Sequence, residues 1–519
     1  MKPIFSTFFL ILFCFCACKP LDVEPQFEIP SEQAFNNVND LEVMVNGAYQ
    51  ALQSANCYGA AYKMIPDIFA DYVTVNPAAL RLGRTGSLSL FNIYQRQTFG
   101  SADNVWRDSY TVINRCNLVV VAVLNNLIKD RTGEYQNNAD RILGEAYCLR
   151  ALMYFELLRL YAHQYGINEN VPNSGIILLL KPTTGRTSQA RATTKEVYDQ
   201  IEIDLKEAAR LLPTDKRATD IFTYGGRAGG RATKYAAMAL LARVYFQKAT
   251  DADDVQALFY ANAVINNTET PFPLNADTGG VAYLVTSNFR ASPSVIFQVS
   301  NLINPLTNEA NSTSKTLLDS YFFQTDETDF PTIYLLNGRF TSALGFKSGD
   351  QRITIGTTIA GSLRYTKKYQ GDNLRPAINV PVIRVAELLL IRAEISYVSN
   401  RQQTIDDIFQ IRDNAYFANG RRGNVPPELN VATLSALSAD DLLKEIIKER
   451  TIELNLEGDR LHHFKRVAKR YGNVDFKLLR SYDSRQRNIS KDLPWDSDAI
   501  LFQIPDAEIS TNPLAVRNP

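Results

Sequence analysis

One stretch limits the architecture more than any other. Residues 139–161 contain GEAYCLRALMYFELLRLY, a helical pattern that is apolar nearly all round, broken only by Glu145, Arg150, Glu156 and Arg159. A helix of that kind cannot lie on a surface with one face wet; it has neighbours on more than one side. The chain around it supplies them. A helix is expected from Trp106 to Leu127. Another runs from Thr193 to Leu212, where Thr193 and Glu196 make a capping box. Val197, Ile201, Leu205, Ala208 and Leu212 form its single apolar stripe, and Pro213 ends it. Arg231 to Ala249 is rich in alanine, which lets helices approach closely, and Asp253 to Asn266 pairs with it. An earlier helical pattern opens at Ser31 with Phe35, Leu41, Val45 and Ala48, and later ones cover Val382 to Val398, Ile405 to Phe417 and Ser438 to Glu457.

These lengths and small-residue patterns are those of degenerate tetratricopeptide hairpins, although the strict repeat signature is absent. A stack of hairpins buries a continuous core and presents a long curved face. Between Pro271 and Pro381 the texture changes to short apolar runs, VIFQVS and TIYLLN, among Asn, Gly, Ser and Thr clusters. Short strands and long loops are expected there. Ile176 to Leu180 is a further strand-sized run. The fold class is therefore mainly α, a right-handed superhelical scaffold of helical hairpins with an irregular, loop-rich half containing short strands.

The first residues give an address. Lys2 gives a short positive start, Ile4 to Cys16 is almost wholly apolar, and Cys18 follows the small residue Ala17. The run has the length of a signal-peptide core, roughly 7–15 residues, and falls short of the roughly 20 that span a bilayer. It reads as a lipoprotein signal cut before Cys18, which then carries lipid; an ordinary secretory signal or a short anchor are the alternatives. Lys19 to Pro30, with three prolines and alternating acidic residues, reads as an extended tether. The expected organisation is a signal over 1–17, a lipidated tether over 18–30, a helical region over 31–270 and a second region over 271–519.

Composition closes off several functions. Lysine plus arginine balance aspartate plus glutamate at 55 each, so nothing argues for nucleic acid or an anionic membrane surface. After Cys18 no apolar run approaches spanning length, which leaves the lipid as the expected membrane attachment. Beyond the signal and anchor, Cys57, Cys116 and Cys148 remain, an odd set without regular spacing that reads as small buried hydrophobes. His462 and His463 point about 100° apart on a helix and rarely share one metal. No zinc motif, cofactor loop or G-x-S-x-G elbow is present. GGRAGGRATK has P-loop spacing at Gly225 and Gly230, but Arg231-Ala232 stands where Lys-Ser/Thr is needed, so it reads as a loop before a helix.

Several segments, in order, carry a resemblance. CKPLDVEPQ and DLEVMVNGAYQAL are followed by DIFADYV, VWRDSYTVINRCNLVV, GEAYCLRALMYFELLRLY, TTKEVYDQIEIDLKEAARLLP and GRATKYAAMALLARVYF. VIRVAELLLIRAEISY, IIKERTIELNLEGDRLHHFKR and LFQIPDAEISTNP complete the series. Together they resemble the SusD/RagB family of nutrient-binding outer-membrane lipoproteins of Bacteroidota. There are departures: Arg460-Leu461-His462-His463-Phe464-Lys465-Arg466 replaces a pattern close to RWFDLKR, IRDNAYFANG lacks the usual Asn-x-Ile-Arg, and the closing Gly-Tyr is missing. The resemblance implies a tetratricopeptide scaffold carrying an irregular ligand-binding half. It implies a SusC-like TonB-dependent transporter as partner, an oligosaccharide or peptide as ligand, a lid role at the cell surface, and no catalysis.

Within that frame the loop from Asp71 to Ser101 is the first candidate for ligand contact, because the family commonly uses this region. It offers Tyr72, Asn76, Arg81, Arg84, Asn92, Tyr94 and Arg96. Flat aromatic rings stack on sugar faces, while arginine and asparagine give directed donors to hydroxyls or carbonyls. A second patch runs from Tyr283 to Tyr334, with Tyr321, Phe322 and Phe323. Ordinary loop packing is the plainer reading of each. Trp106, on a periodic helix face, reads as core. Arg450, Glu453, Glu457 and Arg460 recur at spacings of three, four and three, and read as a structural ion-pair row within one helix. Two other functions stay open: a surface glycan hydrolase using Glu453 and Glu457, and a protein-interaction scaffold.

Overall fold

The computed structural model describes residues 35–70, 73–75, 102–183, 185, 188–214, 230–274, 292–299, 333–335, 347–354, 357–360, 363–366, 368–369, 379–417, 423–472 and 494–519. The elements in chain order begin with α1 (Val38–Leu52), α2 (Ala61–Phe69), β1 (Val73–Val75), α3 (Asp103–Leu124), α4 (Gly133–Tyr161), α5 (Thr194–Leu211), α6 (Lys234–Lys248) and α7 (Asp251–Ile265). There follow β2 (Val295–Val299), β3 (Ile333–Leu335), the short α8 (Gln351–Thr354), β4 (Thr357–Ala360), β5 (Leu363–Thr366) and β6 (Val380–Arg384). The chain ends with α9 (Val385–Ser396), α10 (Arg401–Ala415), α11 (Val431–Ala436), α12 (Ala439–Glu453), α13 (Arg460–Tyr471) and α14 (Asp506–Thr511).

Helix α4 is the axis. It packs on α3, α5 and α1, which is why its sequence is apolar on every side. From there the stack passes through α5, α6 and α7 to α9, against which both α10 and α12 pack. The expected tetratricopeptide-like scaffold is thus present. One continuous apolar core runs from Phe35 to Ala515. Local chemistry sets the helix starts. Thr193 and Glu196 form the reciprocal capping box, and Asn37 with Asp40 forms another that starts α1 at Val38 rather than Ser31. Thr233 caps α6 at Lys234.

The charged interruptions in α4 are all used. Arg150 makes a two-pronged pair with Asp204 of α5 at 2.8 and 2.7 Å. Glu145 accepts from Arg141 at 2.7 Å and Arg231 at 2.6 Å, and Glu156 accepts from the Tyr58 hydroxyl at 2.7 Å. The same device recurs: Arg243 of α6 holds Glu387 of α9, Arg392 of α9 holds Asp407 of α10, and Arg466 of α13 holds Glu394 of α9. Arginine suits these buried positions because its planar fork satisfies both carboxylate oxygens. Cys57, Cys116 and Cys148 are buried free thiols, and burial pushes the first two up to about 12. Trp106 is buried at 4 % exposure and packs edge-on against Tyr161.

Two expectations change. Val380–Arg384 forms a strand paired antiparallel with β2, and the helix expected from Val382 begins at Val385. Pro381 biases its predecessor to extended backbone, and Val382 and Ile383 are β-branched, so the local preference runs against a helix here. Ile176 to Leu180 is not a strand. Ile176 O accepts from Ala192 N at 2.8 Å, and side chains take the next carbonyls: Ile177 O accepts from the Tyr110 hydroxyl at 2.6 Å and Leu179 O from Asn117 at 2.8 Å.

Candidate functional site

All the candidate ligand residues, Tyr72, Asn76, Arg81, Arg84, Asn92, Tyr94, Arg96, Tyr283, Tyr321, Phe322 and Phe323, lie outside the described residues, as does Cys18. The frame that carries most of them is described. A four-stranded sheet has the order β1-β3-β5-β4, with β1 antiparallel to β3. Val75 is the Cα partner of Ile333. The chain therefore leaves β1 toward residues 76–101, and arrives at β3 from residues 300–332, at directly opposed positions about 5 Å apart. Two segments some two hundred positions apart in sequence join the same end of one strand pair.

The base of β1 is clamped. Every residue of α2, which leads into it, is buried. Asp67 of α2 accepts from Gly458 N at 2.8 Å and from Arg460 N at 3.3 Å, so it caps the start of α13 from another part of the chain. Lys63 of α2 donates to Glu457 O at 3.1 Å. Burial raises Asp67 to about 7 and lowers Lys63 to about 8, Glu457 opposing the latter.

The charges recognised between 450 and 460 are structural, but their partners are not one another. α12 ends at Glu453, so Glu457 lies in the following turn and the four residues are not one helical stripe. Glu453 pairs with Arg384 at 3.0 Å and Arg352 at 3.3 Å, Glu457 with Arg384 at 2.6 Å and Lys368 at 2.7 Å, and Arg450 with Asp459 at 2.6 Å. Glu449 joins the network through Arg352 at 2.5 Å and Arg412 at 2.7 Å. Sequence reasoning missed Arg352, Lys368, Arg384 and Asp67 because none is near these carboxylates along the chain. The cavity beside them, touched by Tyr58, Lys63, Glu156 and Glu457, holds about 20 Å³, room for about one water. Among the described residues no group of three or more His, Cys, Asp or Glu is arranged to hold a metal.

The network gives the fold an acid limit. Burial would raise the Glu449 carboxyl, but Arg352 and Arg412 outweigh it and hold the group at about 2, against 4.5 ordinarily. A folded-state value below the unfolded one adds stability that is present above about pH 4.5 and is lost as pH falls toward 2. The size is on the order of 3 kcal/mol. Asp67, raised in the fold, works the other way: its contribution is present below its ordinary 3.8 and lost as pH rises through about 7. In urea titrations from pH 5 to pH 2 the midpoint should fall, and Glu449→Gln should start lower and fall less steeply. An equal slope in both proteins would contradict this origin of the acid limit.

An open cleft of about 750 Å³ lies elsewhere, between α3, the 177–185 segment and α14. Its walls are tied by residues that also line it. Asn114 donates to Thr183 O at 3.1 Å and accepts from Thr183 N at 2.8 Å. Trp106 donates to Glu508 at 3.4 Å, and Asn512 donates to Glu508 at 2.9 Å and to Gln189 O at 2.8 Å.

Comparisons with known proteins fit this architecture at both ends. Residues 19–246 match the family described as "Starch-binding associating with outer membrane", and residues 348–519 match the one described as "SusD family". A relative, SusD-like protein P2 of Formosa agariphila, is 24% identical over 503 residues, with 92% of each chain covered. Among solved structures, a putative sugar binding protein from Bacteroides vulgatus superposes with a TM-score of 0.70 at 23% identity, covering 94% of this chain and 99% of that one. Surface glycan-binding protein A from Bacteroides uniformis gives 0.68 at 17% identity, covering 93% and 99%. At these identities the structural likeness establishes a common fold.

Proposed function

The chain belongs to the SusD family, and on that premise we propose that it is a surface-exposed outer-membrane lipoprotein that captures an oligosaccharide. It hands the ligand to a SusC-like TonB-dependent barrel, over which it acts as a lid. Cys18 carries the lipid, and residues 18–30 form the tether. Two or three acyl chains hold such a protein firmly, since each buried methylene contributes about 0.8 kcal/mol.

The observation that carries the binding reading is the Val75–Ile333 register, which roots both loop-rich segments at one place on a clamped base. The proposed ligand contacts are the aromatic, amide and guanidinium side chains of those two segments. A glycan rather than a peptide is favoured because the similar proteins are described as sugar- or glycan-binding. No bond cleavage belongs to this reading. Glu453 and Glu457 are buried and paired to arginine and lysine, and the cavity that Glu457 lines is too small for a sugar ring. An acid/base pair of a glycosidase instead flanks a bound sugar.

Affinity purification from outer membranes tests the assembly. The chain should bring a barrel-sized transporter with it and incorporate labelled fatty acid, and Cys18→Ser should abolish the label. Recovery without lipid and without a barrel, where the chain is abundant, would contradict the proposal.

A further inference from the structure

The cleft beside α3 has the dimensions of a ligand site. It runs along α3 from Asp103 to Leu118, about 22 Å at the helical rise. Its volume of about 750 Å³ lies within the range typical of ligand sites, about 300–1,000 Å³. It is preformed rather than collapsible, because Asn114, Glu508 and Asn512 brace opposite walls through the hydrogen bonds given above.

Its chemistry selects a class. Asp103 and Glu508, Arg107 and Arg115 all line the same space, Arg115 giving one N–H to Gly47 O of α1. An ionic ligand would be attracted by half of these and repelled by the other half. A hydroxyl group suits both, donating to a carboxylate and accepting from a guanidinium. Arg107 is 67 % exposed, and its bond to Asp108 at 3.0 Å leaves further N–H donors free. Exposed Asn104 and Thr111 add short polar groups at the rim, and Ile177, Leu179 and Ala507 supply apolar surface for C–H faces. Asp103 is the second described residue after the 76–101 segment, so the cleft begins where that segment rejoins the frame.

We infer that this cleft is a second glycan-binding site, receiving a neutral, hydroxyl-rich oligosaccharide along α3. The inference takes its ligand class in part from the glycan-binding reading above, but it concerns a different surface.

Trp106 lines the cleft, and the chain has two tryptophans. In a Trp495→Phe background the fluorescence of Trp106 alone reports on the site. The mature chain is titrated with neutral hexasaccharides of glucose, xylose, mannose and galactose, and with a random hexapeptide pool, while calorimetry records total binding. At least one hexasaccharide should change Trp106 emission saturably. Thr111→Arg and Asn104→Arg, both at exposed positions, should weaken that response at least tenfold with unchanged circular dichroism. Sugar binding by calorimetry with Trp106 silent, or a response that neither variant weakens, overturns this site and leaves the family reading intact. A response to peptides in place of sugars also overturns it. No binding of any sugar by either readout removes both.

Discussion

Replacing Gly458 by alanine is expected to be among the most damaging single changes this chain can suffer, costing on the order of 4 kcal/mol or more. Two effects add. Gly458 has φ +79°, where a side chain costs about 1–2 kcal/mol by itself. In addition, a β-carbon there would overlap the Tyr62 carbonyl oxygen and come within 3.1 Å of Tyr62 C and 3.2 Å of Lys63 Cα. These are backbone atoms of α2, so relief requires moving the helix. That movement would also break the bonds from Gly458 N and Arg460 N to Asp67, and so release the base of β1. Gly423 is the control: its φ is +86° but nothing lies within 4 Å of its missing β-carbon, so Gly423→Ala should cost about 1 kcal/mol. Urea midpoints of the two variants measure the difference. Similar midpoints would mean that α2 yields easily and that the clamp is soft.

Arg384→Met is expected to cost about 3–5 kcal/mol, the usual penalty for removing one partner from a buried ion pair. Arg384 is 1 % exposed and reaches Glu457 at 2.9 and 2.6 Å and Glu453 at 3.0 Å. Without it Glu457 keeps Lys368 and Glu453 keeps Arg352, each facing a buried environment with its countercharge reduced. The companion variant Arg384→Met with Glu457→Gln should be closer to wild type than the sum of the single changes, because the orphaned charge goes with its partner. Additive losses would show that the pair contributes shape rather than charge compensation.

How far the sequence reveals this protein depends on the range of each interaction. Thr193 and Glu196 are three residues apart, and their capping box is visible in the text of the chain and present in the fold. The all-round apolar pattern of residues 139–161 likewise places α4 at the centre, since burial on every side leaves a local trace. Val380–Arg384 was masked by the strong helix that follows it, and its strand character depends on β2, some eighty residues earlier. The charges of Arg450, Glu453 and Glu457 looked mutually satisfied because helical spacing is the only geometry a sequence displays. Their real partners, Asp459, Arg352, Lys368 and Arg384, were mostly far away along the chain. The cleft had no signature at all, since it is made by α3 meeting α14 across some four hundred residues.

In the proposed role this scaffold grips a glycan and returns it unchanged. Incubating the mature chain with neutral oligosaccharides, measuring binding by calorimetry and then the chain length of the recovered sugar, tests it in one experiment. Saturable binding of at least one sugar, recovered at its original length, is the predicted result. Failure to bind any of them, or recovery of shortened products, would contradict it.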